Sequence, residues 1–202
     1  RPEGLRGPIT KSRLFIAVDL PCDVGATLAE TAGRLEAYWR PGKVRWTTAG
    51  NQHLTLRFLG ETRPEQVPAL TAVMDELVVG QPPFVLHLDG TGAFPPTGPP
   101  RVLWVGLRSD EGRRALTTLQ RRLEGRVRDL GWEAESRPYR PHLTLGRVRR
   151  GASAASRDWQ RHAPKPLGIP VNEILLMRSE LRETGARYTT LHAARLLAGR
   201  CW

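Results

Sequence analysis

Two tetrapeptides in this 202-residue chain carry the residue types of proton transfer: His53-Leu54-Thr55-Leu56 and His142-Leu143-Thr144-Leu145. An imidazole with an unperturbed pKa of ~6.5 takes or gives a proton near neutrality. Two of them meet the demands of an in-line phosphoester hydrolysis, in which water loses a proton and the departing oxygen gains one. A threonine hydroxyl beside each can donate a hydrogen bond to a non-bridging oxygen as charge develops there. At the ~10²–10⁴-fold typical of a single acid or base, two histidines together lower the barrier by ~5–11 kcal/mol. A lone His-x-Thr is an ordinary strand sequence, since threonine favours β structure. Recurrence is what singles out these two. Only two cysteines, Cys22 and Cys201, and no compact third donor accompany the histidines, so zinc ligation is not expected. Neither is any other metal or cofactor.

Period-2 alternation must position these residues. From Gln52 to Leu59, His53, Thr55 and Arg57 fall on one face and Leu54, Leu56 and Phe58 on the other, which predicts a half-buried strand. A strand is likewise predicted over 142–147, with His142 and Thr144 side by side. Leu14-Phe15-Ile16-Ala17-Val18 reads as a buried strand after a Gly-, Pro- and charge-rich segment, 1–12, expected to be flexible. Helical spacing predicts helices over 23–40, 64–79 and roughly 116–130. Further strands are expected at 84–89, 102–107, 171–178 and 187–196, with a Pro/Gly-rich loop at 92–100 and a mostly irregular stretch at 149–170.

Strand, long helix and His-Leu-Thr-Leu recur in one order at offsets of 88 or 89 residues. This internal echo predicts an α+β fold of two pseudo-symmetric lobes, each an antiparallel sheet with helices outside, and a central cleft holding both motifs. The repeat spans roughly 13–100 and 101–196 within a single bilobal domain, 13–202.

The formal charge is +11 with 28 arginines against 3 lysines. A positive field of this kind draws polyanions, and arginine forks onto phosphate oxygens. A general preference for Arg would produce the same bias without a ligand. The cysteines match no disulfide framework, and no apolar stretch reaches the ~20 residues needed to span a bilayer. A soluble, cytoplasmic, monomeric protein is expected.

The motifs and their surroundings resemble the two-histidine (2H) phosphoesterase superfamily, and within it the RNA 2′,3′-cyclic phosphodiesterases of the LigT/ThpR type. The resemblance rests on Arg13-Leu-Phe-Ile-Ala-Val-Asp-Leu-Pro21, Val44-Arg-Trp46, Asn51 to Glu61, Pro141 to Arg147, and Leu176 to Leu181 with Tyr188 beyond. It implies hydrolysis of RNA 2′,3′-cyclic phosphate termini to 2′-phosphate, with His53 as proton donor and His142 as proton acceptor. The partners it implies are RNA ends, tRNA fragments or cyclic nucleotides. The residues themselves leave the donor and acceptor interchangeable, because the site is nearly symmetric. Some relatives join RNA ends through a 2′-5′ linkage, and others act through binding, so end-joining and a non-catalytic RNA-binding module are the competing readings.

Arg147 corresponds to a phosphate-facing arginine in that family. Its alternation parity requires a twist or bulge near Gly146 to bring it to the side of Thr144. Phe15, Trp46 and Tyr139 are candidates for stacking on a base or ribose. His87, His162 and His192 begin no His-x-Thr motif and are read as structural.

Overall fold

In the computed structural model, residues 12–182 and 185–198 are described. Most of the segment expected to be flexible, and Cys201, lie outside these residues; Ser12 already belongs to the first strand. The order of elements is β1 (Ser12–Val18), α1 (Cys22–Glu36), β2 (Val44–Trp46), β3 (Leu54–Thr62), α2 (Val67–Val78), β4 (Phe84–Phe94), β5 (Val102–Leu107), α3 (Glu111–Asp129), β6 (Leu143–Val148), β7 (Gly168–Val171), β8 (Glu173–Arg182) and β9 (Gly185–Arg195). β2 and β7 are three and four residues long, too short for a period-2 pattern to mark them as separate strands.

The strands form a four-stranded sheet, β3-β1-β8-β9, and a five-stranded sheet, β2-β6-β5-β4-β7. Every ladder between these named strands is antiparallel. The α+β architecture with two antiparallel sheets is therefore as expected. The two lobes are not contiguous halves of the chain, however. β2 and β4 leave the first half to join β6 and β5, and β8 and β9 return from the second half to complete the sheet of β1 and β3. A central strand needs a hydrogen-bonding partner on both edges, and β1 takes β8 as its second partner; hydrophobic pattern alone cannot reveal that choice.

Leu116, Leu119, Leu123 and Val127 recur at helical spacing along α3, and all are fully buried. Burial of each such side chain stabilises by roughly 1.5–3 kcal/mol. The start of α3 is fixed by Asp110, whose Oδ1 accepts from the Arg113 amide at 3.0 Å, a standard N-cap. Gly112 allows the helix to rest on β4, because a Cβ there would lie 1.8 Å from the Val85 carbonyl oxygen. Buried apolar residues of both sheets and all three helices form one contiguous core.

Candidate active site

Each motif histidine stands one residue before its strand, His53 before β3 and His142 before β6. His142 donates from Nδ1 to the Arg140 carbonyl at 2.7 Å, which leaves Nε2 as the free ring nitrogen. His53 is hydrogen-bonded to the Asn51 backbone in the same way, two residues upstream. Burial pushes His53 down to about 4, against the opposing effects of the Asn51 bond and the Asp19 carboxylate. Burial also lowers His142; its bond to Arg140 opposes this, and the positive charge of Arg147 adds to it. Apart from burial, then, the charge nearest His53 favours its protonated form and the charge nearest His142 disfavours it.

Strand bulges set what accompanies each histidine. On β6 the pairing with β5 passes from Trp104↔Thr144 to Leu103↔Gly146, leaving Leu145 as the extra residue. Thr144 and Arg147 thus share a face although they are three residues apart, and the parity problem posed by the sequence is solved at the place expected. On β3 the pairing with β1 passes from Ala17↔Thr55 to Ile16↔Arg57, leaving Leu56 as the extra residue. Beyond that bulge the expected alternation inverts. Arg57 turns toward the core and is 6% exposed, whereas Phe58 turns outward and is 59% exposed. Phe58 therefore occupies in the first motif the position that Arg147 occupies in the second. The threonine hydroxyls of both motifs have no hydrogen-bond partner among the described residues.

Aromatic rings frame both imidazoles. Phe15 lies 4.6 Å from His53 between ring centroids, and Tyr188 meets His53 edge-on at 5.0 Å. Phe58 extends this group, 6.1 Å from Phe15. Phe94 meets His142 edge-on at 4.9 Å and lies 5.3 Å from Trp104. Trp104 in turn lies over Gly92, where a Cβ would come within 2.2 Å of the indole. Phe94 falls in a stretch whose prolines and glycines read as loop, and Trp104 needs the β4–β5 register to place it; neither carries a sequence signal.

Two of the stacking candidates are placed otherwise. Trp46 pairs with Gly146, on the face opposite Thr144 and Arg147, and packs against the core. The Tyr139 ring is also packed against the core, with its hydroxyl donating to the Thr55 carbonyl at 3.2 Å. Its burial pushes the phenol well above its ordinary range. Both residues are half-buried, whereas the third candidate, Phe15, is enclosed beside His53 and only 3% exposed.

The three remaining histidines are engaged elsewhere. His87 pairs with Asp110, His192 with Asp75 and His162 with the Tyr38 hydroxyl, each at 2.8 Å. Among the described residues no group of three or more His, Cys, Asp or Glu side chains could hold a metal ion, and no helix is long and apolar enough to cross a membrane.

A profile of the 2′-5′ RNA ligase superfamily matches residues 27–183. An RNA 2′,3′-cyclic phosphodiesterase of Thermus thermophilus is 38% identical, over 89% of this chain and 87% of its own length. One of Escherichia coli is 32% identical over 89% of this chain and 93% of its own. Among solved structures, a Thermus thermophilus protein superposes with a TM-score of 0.76 at 32% identity, covering 94% of this chain and all of that one. E. coli LigT complexed with 3′-AMP superposes with a TM-score of 0.71 at 30% identity, covering 93% of this chain and 99% of that one. The paired motifs, the two antiparallel sheets and these similarities agree, and the chain belongs to the 2′-5′ RNA ligase superfamily of two-histidine phosphoesterases.

Proposed function

We propose that this protein hydrolyses RNA 2′,3′-cyclic phosphate termini to 2′-phosphates, with His142 accepting the proton of the attacking water and His53 donating one to the departing 3′ oxygen. One P–O bond forms to water and the P–O3′ bond breaks, so each turnover returns both imidazoles to their starting states once a proton has passed between them through solvent. Thr55, Thr144 and Arg147 bind the non-bridging oxygens, where their donors stabilise the charge that builds in the transition state.

The observation that carries this reading is the matched build of the two motifs. Each histidine is hydrogen-bonded to backbone two residues upstream, and each is followed on the same face by a threonine with a free hydroxyl. The donor and acceptor assignment is supported by the charges beside the rings. Burial is the largest influence and lowers both rings, His53 to about 4; Asp19 opposes that lowering at His53, whereas Arg147 adds to it at His142. The relatives named as RNA 2′,3′-cyclic phosphodiesterases support the substrate. A cytoplasmic monomer acting on RNA ends, tRNA fragments among them, is the setting we propose; Cys22 is an exposed free thiol, which suits a reducing compartment.

The test is to incubate the protein in EDTA with a short RNA ending in a 2′,3′-cyclic phosphate and to identify the product. Formation of the 2′-phosphate, abolished in a His53→Ala, His142→Ala double variant, is expected. Undiminished turnover by that variant would remove the reading. The superfamily description favours a second activity, 2′-5′ end-joining, in which a 5′ hydroxyl replaces water as nucleophile. Defined tRNA halves, assayed for a 2′-5′ product, separate the two.

A further inference from the structure

Residues 37–60 and 136–157, the two stretches that contain the histidine motifs, include no aspartate or glutamate, although the chain has 20 acidic residues. A general preference for arginine would raise the number of cations everywhere, but it would not clear acids from these two segments. The fold brings them together along one edge of the five-stranded sheet. β2 pairs with β6 so that Arg45 stands opposite Arg147. The Arg149 amide donates to the Lys43 carbonyl at 2.9 Å, extending the pairing by one rung.

Alternation places Lys43 and Arg45 on one face of β2, and Arg147 and Arg149 on the same face of β6. That face also carries Thr144. All four cations are exposed, and none has an acidic partner among the described residues. Like charges directly opposite one another across a ladder are destabilising, and two such pairs stand here side by side. Helix α3 is a partial contrast, because acids lie among its arginines and two of them are paired, Arg126 with Glu76 and Arg114 with Glu111. Charge on an edge strand also discourages aggregation. That purpose needs neither two facing cation pairs nor continuity with a phosphate-binding motif.

Resting on the hydrolysis reading above, we infer that the β2–β6 edge is a subsite for the sugar-phosphate backbone of single-stranded RNA. The phosphates 5′ to the reacting terminus pass first the Arg45/Arg147 rung and then the Lys43/Arg149 rung. Neighbouring same-face residues on a strand stand ~6.8 Å apart, a spacing suited to successive phosphates of an extended strand. The protein thereby prefers oligonucleotides over mononucleotides and reads backbone without base sequence.

The experiment uses a Lys43→Ala, Arg45→Ala, Arg149→Ala triple variant, which leaves Arg147 and both motifs intact. Two quantities are measured: binding of a fluorescent RNA of roughly ten nucleotides ending in a 2′-phosphate, and turnover of a 2′,3′-cyclic mononucleotide. The variant is expected to weaken oligonucleotide binding by about 30- to 100-fold while mononucleotide kcat/KM stays within about twofold. The slope of log K against log salt should fall by ~0.7–1.4, at ~0.7 for each of the one or two single-strand phosphates that the variant no longer neutralises. Unchanged oligonucleotide affinity, with or without aggregation of the variant, overturns the subsite. An equal loss in oligonucleotide binding and in mononucleotide kcat/KM also overturns it, since that marks a general field or a damaged site. If the wild type opens neither the cyclic mononucleotide nor the cyclic-phosphate RNA of the preceding test but the variant still loses oligonucleotide binding, the hydrolysis reading fails and the subsite stands.

Discussion

The Tyr139 hydroxyl donates to the Thr55 carbonyl at 3.2 Å, fastening the segment that enters the second motif to the strand of the first. Three more bonds follow, at the next two alternate residues of β3. Arg57 donates to the Glu133 carbonyl and to Glu135, and the Trp132 indole donates to the Leu59 carbonyl at 3.1 Å. The segment 132–139 is thus held to β3 at Thr55, Arg57 and Leu59. Tyr139→Phe removes one hydrogen bond without opening a cavity, at a cost of roughly 0.5–1.5 kcal/mol. Because it loosens one motif relative to the other, kcat should fall several-fold with little change in KM, as steady-state kinetics would show.

Arg57 is buried and bridges three elements, with Nε 2.6 Å from Glu124 on α3 and Nη1 2.7 Å from Glu135. Arg57→Met leaves Glu124 beside a buried site without its cation. Removing one partner of a buried pair costs about 3–5 kcal/mol, and the partial exposure of both glutamates places the expected loss at the lower end. Arg57→Lys should recover only part of it, because an ammonium cannot make the forked hydrogen bonds of a guanidinium. Urea unfolding of the three proteins measures both effects.

Stability should fall as pH is lowered from ~6.5 toward 4, in part through His53. In the folded protein its pKa is depressed to about 4, whereas the unfolded chain protonates it near ~6.5. Between those values the unfolded state binds the extra proton, so acidification favours unfolding. The shift corresponds to about 3 kcal/mol, fully present above ~6.5 and lost on the way down to 4. His53→Phe should flatten the unfolding free energy across this window relative to wild type.

The pH dependence of kcat/KM reports groups of the free protein. Both histidines are lowered there, so the optimum is expected on the acidic side of ~6.5, with apparent pKa values that belong to the pair. On the acid side activity is lost when His142 becomes protonated and can no longer accept. Arg147→Met relieves the charge that opposes this protonation, so the acid limb should move to higher pH. His53→Ala and His142→Ala should each lower kcat by ~10²–10⁴-fold, and the double variant by less than the product of the two.

Gly146 is where the bulge brings Arg147 round. A Cβ there would lie 2.8 Å from Val44 Cγ1 and 2.9 Å from Trp46 Cε3. Gly146→Ala therefore pushes β2 away from β6. Such crowding typically costs about 1–3 kcal/mol, and Trp46→Leu, by opening space, should restore part of the stability. Thermal unfolding of the single and double variants is the measurement.

Much of the site is legible in the sequence because local geometry specifies it. Period-2 alternation places each threonine beside its histidine, helical spacing marks the buried stripe of α3, and parity requires a bulge before Arg147 once the family resemblance makes that arginine phosphate-facing. Tertiary structure decides what depends on register between distant segments. The bulge at Leu56 exchanges the faces of Arg57 and Phe58, since an extra residue in a ladder shifts every side chain beyond it. Pairing with Gly146 turns Trp46 to the face opposite Thr144, half-buried against the core, and the bond to Thr55 makes Tyr139 a fastener. Strand exchange between the halves follows from hydrogen bonding along sheet edges, which apolar patterning does not encode. Residue order therefore specifies which groups can transfer protons, whereas the fold specifies which charges and rings stand beside them, because those neighbours come from other strands.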